Sequence, residues 1–116
     1  MTIKRPSFTQ EEALAFHAGP KPGKLEEFVE TQKAALSVFR GTAPGLQTSR
    51  FYRSPEAGTA VLISVFDTRE HFERFRASEL FAAHRERIAP LLASASPGVY
   101  ELVYRTTNIE KEAAAA

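Results

Sequence analysis

The stretch that decides the fold runs from Phe66-Asp67-Thr68-Arg69-Glu70-His71-Phe72-Glu73-Arg74-Phe75 through Arg76-Ala77 to Ser78-Glu79-Leu80-Phe81-Ala82-Ala83-His84. It joins the end of a strand to two successive helical pieces. Asp67 offers an N-cap oxygen, and Glu70 stands three residues on, at the capping-box position. Phe72 and Phe75 fall on the inward side of the first piece. Ser78 can cap the second, whose apolar stripe runs Leu80, Phe81, His84, Ile88 and then Leu91 or Leu92. Pro90 should end or kink it. Just upstream, Thr59 to Phe66 is nearly all apolar. That pattern marks a central strand buried on both faces.

Working outward, Ala13 to His17 reads as a short strand closed by Gly19-Pro20-Lys21-Pro22-Gly23. Alternation puts Leu14 and Phe16 on one face and Ala13, Ala15 and His17 on the other. Lys24 to Arg40 reads as a helix with Leu25, Phe28, Val29, Leu36 and Phe39 on one stripe, stopped by Gly41 and Pro44-Gly45. Leu46 to Tyr52 alternates as a strand. The turn Arg53 to Gly58 makes it an antiparallel hairpin with Thr59–Phe66. Ala93-Ser94-Ala95-Ser96-Pro97-Gly98 reads as a turn, and Val99 to Arg105 as the last strand. The order is β-α-β-β-α-β, an α+β domain of the ferredoxin-like kind over residues 13–105. An arm, 1–12, precedes it and a tail, 106–116, follows. Helices would cover one face of the sheet. The other, with Ala15, His17, Val61, Ile63 and Val65, is too apolar to leave in water, so the sequence predicts a homodimer through the sheet faces.

Composition narrows the function. One domain fits 116 residues. A formal net charge of +1 gives no reason to expect nucleic acid or an anionic membrane as partner. The absence of cysteine removes disulfides, thiolate chemistry and thiolate metal ligation. His17, His71 and His84 are scattered, so no metal site is expected. No apolar run approaches the ~20 residues of a membrane span, and Met1 to Gln10 lacks a signal-peptide core. A soluble, cytoplasmic protein is the simplest reading.

The ordered set Lys21-Pro22-Gly23-Lys24-Leu25-Glu26-Glu27-Phe28, Pro44-Gly45-Leu46, Thr59 to His71-Phe72 and Ser78 to His84 resembles the antibiotic biosynthesis monooxygenase family, small dimeric α+β barrels. The likeness covers roughly residues 13–105. It implies a ligand pocket between the sheet and helices of one subunit. It also implies one of three activities: cofactor-independent oxygenation of a phenolic or quinol-like polyketide substrate, haem binding or degradation, or silent binding of a small ligand. Four departures from the family's patterns concern the walls of the pocket. Phe16 stands where haem degraders carry Asn, and Phe66 stands where they and the quinol oxygenases carry Trp. Leu62 and Phe72 stand where the quinol oxygenases carry Asn and Tyr. His84 matches the haem-ligating His.

Several side chains are therefore candidates. His84 sits on an apolar stripe where a neutral residue would cost less to bury. A hydrogen-bonded packing role competes with that of a general base or, with haem as cofactor, a ligand. Ser64 is the hydroxyl on the pocket side of the central strand, able to orient a ligand or simply to fill a tight spot. Phe16, Leu62, Phe66, Phe72, Phe75 and Phe81 are expected to line the pocket, against a plain core role for each alone, and His71 to stand at its mouth. His17 should face the other side of the sheet. No acid is placed to complete a Ser–His–acid triad. The leading expectation is an oxygenase with no cofactor acting on a small aromatic ligand.

Overall fold

A computed structural model describes residues 12–106. The expected arm, apart from Glu12, and the tail from residue 107 lie outside them. The elements are β1 (Glu12–Pro20), α1 (Leu25–Thr42), β2 (Leu46–Ser54), β3 (Thr59–Phe66), α2 (Arg69–Arg76), α3 (Glu79–Ile88), a 3-10 turn (Ala89–Leu91) and β4 (Leu92–Glu101). The four strands form one antiparallel sheet in the order β2-β3-β1-β4. The expected ferredoxin-like α+β fold is the one found. None of the described helices is long and apolar enough to cross a membrane.

The helices pack on one face of the sheet. Phe28 of α1 is fully buried and meets Phe51 of β2 edge to face at 6.0 Å. Ala18, Ala60, Ile88 and Leu91 join Phe28 in the core. Alternation along β1 and β3 holds: Ala15 pairs with Ile63 and His17 with Val61 on the outer face. A register shift between Leu46 and Thr48 breaks the alternation of β2. A bulge of this kind turns a side chain to the other face. Leu46 accordingly lies on the helix side with Ser49, not with Thr48, Arg50 and Tyr52 as strict alternation required.

Two expectations need correction. The N-cap of α2 is Thr68, not Asp67: Thr68 Oγ1 accepts from the His71 N–H at 3.1 Å. Asp67 instead accepts from Gln47 Nε2 at 2.7 Å, and its N–H donates to the Gly45 carbonyl. The predicted cap of α3 is as read, with Ser78 Oγ accepting from the Phe81 N–H at 3.2 Å. The second correction concerns β4. The segment Ala93–Gly98 is not a turn but the body of the strand, paired from Leu92–Pro20 to Glu101–Glu12. Small residues and Pro97 are weak local strand formers, yet the strand lies at the sheet edge, where proline is tolerated. Residues 102–106 carry no regular structure.

Candidate functional site

Between the sheet and the three helices lies a cavity of about 710 Å³. The sheet supplies its floor: Leu14 and Phe16 from β1, Leu46 and Ser49 from β2, Leu62, Ser64 and Phe66 from β3. The roof comes from Gln32, Leu36 and Phe39 of α1, Phe72, Phe75 and Arg76 of α2, and Phe81, His84, Arg85 and Ile88 of α3. Ala95, Pro97, Gly98 and Val99 of β4 close one side. A cavity this size, mostly apolar with a few polar groups, suits a small ligand.

Phe75 is the hub of the aromatic wall. Its ring lies 5.0 Å from Phe39, 5.4 Å from Phe66 and 5.1 Å from Phe81, centroid to centroid. Phe66 also meets Phe72 at 5.7 Å. Such packed rings hold a rigid shape and offer flat apolar surface to a flat ligand.

The polar groups are few and placed in pairs. Ser64 Oγ lies 2.8 Å from Ser49 Oγ across the β2–β3 pair. One hydroxyl donates to the other, which leaves one proton for a further partner. His84, 3% exposed, hydrogen-bonds through Nε2 to Oε1 of Gln32, 1% exposed, at 3.0 Å. Its ring meets Phe39 edge to face at 5.5 Å. Burial, and secondarily the positive charge of Arg87, lower the His84 pKa below its ordinary value of 6.5. The ring is therefore neutral at pH 7 and can accept a proton. His84 Nδ1 and Gln32 Nε2 are buried with no partner.

Arg76 and Arg85 are the two ionised side chains lining the cavity, and each lies over a ring: Arg76 at 5.6 Å from the Phe72 centroid, Arg85 at 6.0 Å from Phe81. Arg76 is tied to Glu73, whereas Arg85 has no ion pair among the described residues. No group of three or more potential metal-ligating side chains comes together among the described residues.

Of the residues singled out in the sequence, His84, Ser64, Phe16, Leu62, Phe66, Phe72, Phe75 and Phe81 all line this cavity. His71 does not. Because the cap is Thr68, the His71 ring turns to Thr68 Oγ1, 3.0 Å from Nδ1, and packs against Gly45. His17 lies on the outer face, as alternation required. Gln32, Ser49, Phe39 and Arg85 line it as well; the sequence assigns Phe39 only to the stripe of α1 and Arg85, with Arg76, to a solvated helix face that the cavity in fact reaches. Gln32 carried a signal: it falls four residues after Phe28 and four before Leu36, on the apolar stripe of α1. Ser49 carried one only through its strand pairing with Ser64.

Known proteins agree with this architecture. No curated protein sequence matches the chain. Among solved structures, a Nitrosomonas europaea protein assigned to the antibiotic biosynthesis monooxygenases superposes with a TM-score of 0.72 at 19% identity, covering 84% of this chain and 94% of its own. A Shewanella oneidensis protein gives 0.72 at 16% identity, over 81% and 92%. SnoaB, a cofactor-independent oxygenase from Streptomyces nogalater, gives 0.70 at 20% identity, over 84% and 95%. At these identities the likeness shows the fold. The family model for antibiotic biosynthesis monooxygenases matches residues 13–87, more than half of the sequence. With the split β-α-β-β-α-β order and the cavity under its helices, this chain belongs to the antibiotic biosynthesis monooxygenase family.

Proposed function

We propose that the chain is a cofactor-independent monooxygenase acting on a small aromatic, quinol-like substrate of polyketide type. The observation that carries this reading is the cavity itself: a phenylalanine wall around one neutral, buried imidazole. Family membership and the presence of a cofactor-independent oxygenase among the structural relatives support it.

In this reading His84 is the general base. It takes the proton of a phenolic hydroxyl, and the electron-rich anion then reduces dioxygen directly. One oxygen atom ends on the substrate carbon and the other leaves as water. The two electrons that balance the second atom come from the substrate, which leaves as the quinone. The Phe wall holds substrate and dioxygen together in a dry space, and Ser64 with Ser49 offers a hydroxyl to orient one of them. Arg85, at the edge of the cavity, favours a substrate carrying negative charge.

Haem is the weaker reading, because Phe16 and Phe66 line the cavity where the haem-degrading pattern carries Asn and Trp.

The functional unit in this reading is a homodimer packed through the outer sheet faces. Its support is the line of Ala15, Val61, Ile63 and Val65 on that face, flanked by the half-exposed Tyr52 and Tyr100. Val103 and Tyr104, 87% and 82% exposed, extend the apolar surface along the chain.

The test is oxygen uptake with 1,8-dihydroxyanthrone, corrected for its autoxidation in buffer. Uptake that falls at least tenfold in His84→Ala supports the reading. Saturable binding of the anthrone with no uptake above buffer would sink the oxygenase and leave a silent ligand binder.

A further inference from the structure

The buried stripe of α1 runs Phe28, Val29, Gln32, Ala35, Phe39. One amide interrupts it. Leu or Met would fill the same space with no polar group to strip of water. The amide's partner in the protein is the His84 ring, on α3. Once that bond is made, each side chain has one polar nitrogen left over, Nε2 of Gln32 and Nδ1 of His84. Protein interiors seldom leave such groups unmatched. Both residues line the cavity.

The count of donors and acceptors does not depend on how the amide is turned. With Oε1 toward the ring, the imidazole donates from Nε2, and both amide N–H groups and the Nδ1 lone pair are left over. With the amide reversed, the spare groups are Nδ1–H, one amide N–H and Oε1. The spare groups of amide and ring lie on opposite sides of the bond between them, so no single ligand atom reaches both. With Oε1 toward the ring, the Nδ1 lone pair takes the proton of a ligand hydroxyl, which an ether or ketone oxygen does not have to give.

We propose that Gln32 is the positioning residue of this site: it fixes the tautomer and ring plane of His84, and the Nδ1 lone pair it pins selects a ligand that presents a hydroxyl. The second half rests on the reading of the cavity as an aromatic-substrate site and deepens it. When the hydroxyl proton passes to Nδ1, the ring becomes a cation whose Nε2–H stays held by Gln32 Oε1.

The experiment separates the two halves. Nitrogen-15 NMR of the His84 ring, with no ligand present, reads the tautomer in the wild type and in Gln32→Leu and Gln32→Glu. One pinned tautomer is expected in the wild type and a mixture in Gln32→Leu. Gln32→Glu, which keeps an oxygen for Nε2–H, should hold the proton on Nε2 and raise the ring's titration. A ring unchanged by Gln32→Leu overturns the positioning role; Gln32→Met takes the place of Gln32→Leu if that variant does not fold. Binding of 2-naphthol against 2-methoxynaphthalene, followed by fluorescence, reads the selection. The wild type should prefer the naphthol about tenfold, the worth of one neutral hydrogen bond in a dry site, and Gln32→Leu should lose the preference. Equal binding of both probes by the wild type overturns the selection. Binding of neither sinks the aromatic-cavity reading, while the ring spectrum still decides the positioning role.

Discussion

Gly45 is where the hairpin and α2 are locked together, and replacing it with alanine has a cost that can be worked from its surroundings. Its φ is +81°, a region an L side chain adopts only at about 1–2 kcal/mol. A Cβ there would lie 2.6 Å from His71 Cβ and closer still to Cγ. These are the root of the side chain, so no rotation relieves the contact. Overpacking of this kind costs about 1–3 kcal/mol. Gly45→Ala should therefore lose about 2–5 kcal/mol in total, the sum of the backbone and clash terms. In a His71→Gly background, which removes the His71 Cβ as well as the ring, the clash is gone and only the backbone term, about 1–2 kcal/mol, is left. The coupling between the two positions is then about 1–3 kcal/mol. Equilibrium urea unfolding of the four proteins, at one fixed protein concentration, measures it. With a slope of about 1–1.5 kcal/mol per molar urea, the single variant's midpoint should fall by roughly 1.3 M or more. A cost that is the same in both backgrounds would refute the close approach of His71. A cost below ~1 kcal/mol in the wild-type background would refute the left-handed backbone as well.

Three further outcomes are expected from the same packing. Because burial lowers the His84 pKa below 6.5, the unfolded state takes up the proton first, so stability should fall as pH drops below 6.5 and level off below the folded-state pKa; unfolding free energies between pH 7 and 5 should carry a slope that His84→Leu reduces by at most one proton, ~1.4 kcal/mol per pH unit. Phe75→Ala removes the ring that touches Phe39, Phe66 and Phe81, and should cost about 3–5 kcal/mol in the same urea assay; a cost below ~1 kcal/mol would mean that the wall is loosely packed. Ile63→Lys places a charge in the middle of the outer sheet face, and light scattering after size exclusion should move from twice the chain mass to once, while an unchanged mass would refute a dimer built on that face.

Much of the fold was legible because local signals and tertiary packing agree. Thr59–Phe66 reads as a buried strand by composition alone, and Ser78 caps α3 as its position before an apolar stripe required. The same stripe put His84 in the interior, where it is found. The misreadings have local causes. Asp67 and Thr68 are both good caps standing side by side, and the choice between them is made by Gln47, which takes Asp67 away. Gln32 went unnoticed on α1 because a single polar residue in a stripe looks like an interruption until its partner, on a helix far along the chain, is known.

Periodicity, capping residues and turn glycines are properties of neighbours in the chain, and they determined the order of elements, the two faces of β1 and β3, and the burial of His84. Pairing across the sheet is a property of residues distant in sequence. It made a strand of Ala93–Gly98, whose small side chains form no strand by themselves, because β1 offers them an unfilled edge. It set Ser49 against Ser64. It also brought Gln32 to His84, and so turned two separate polar residues into one buried pair.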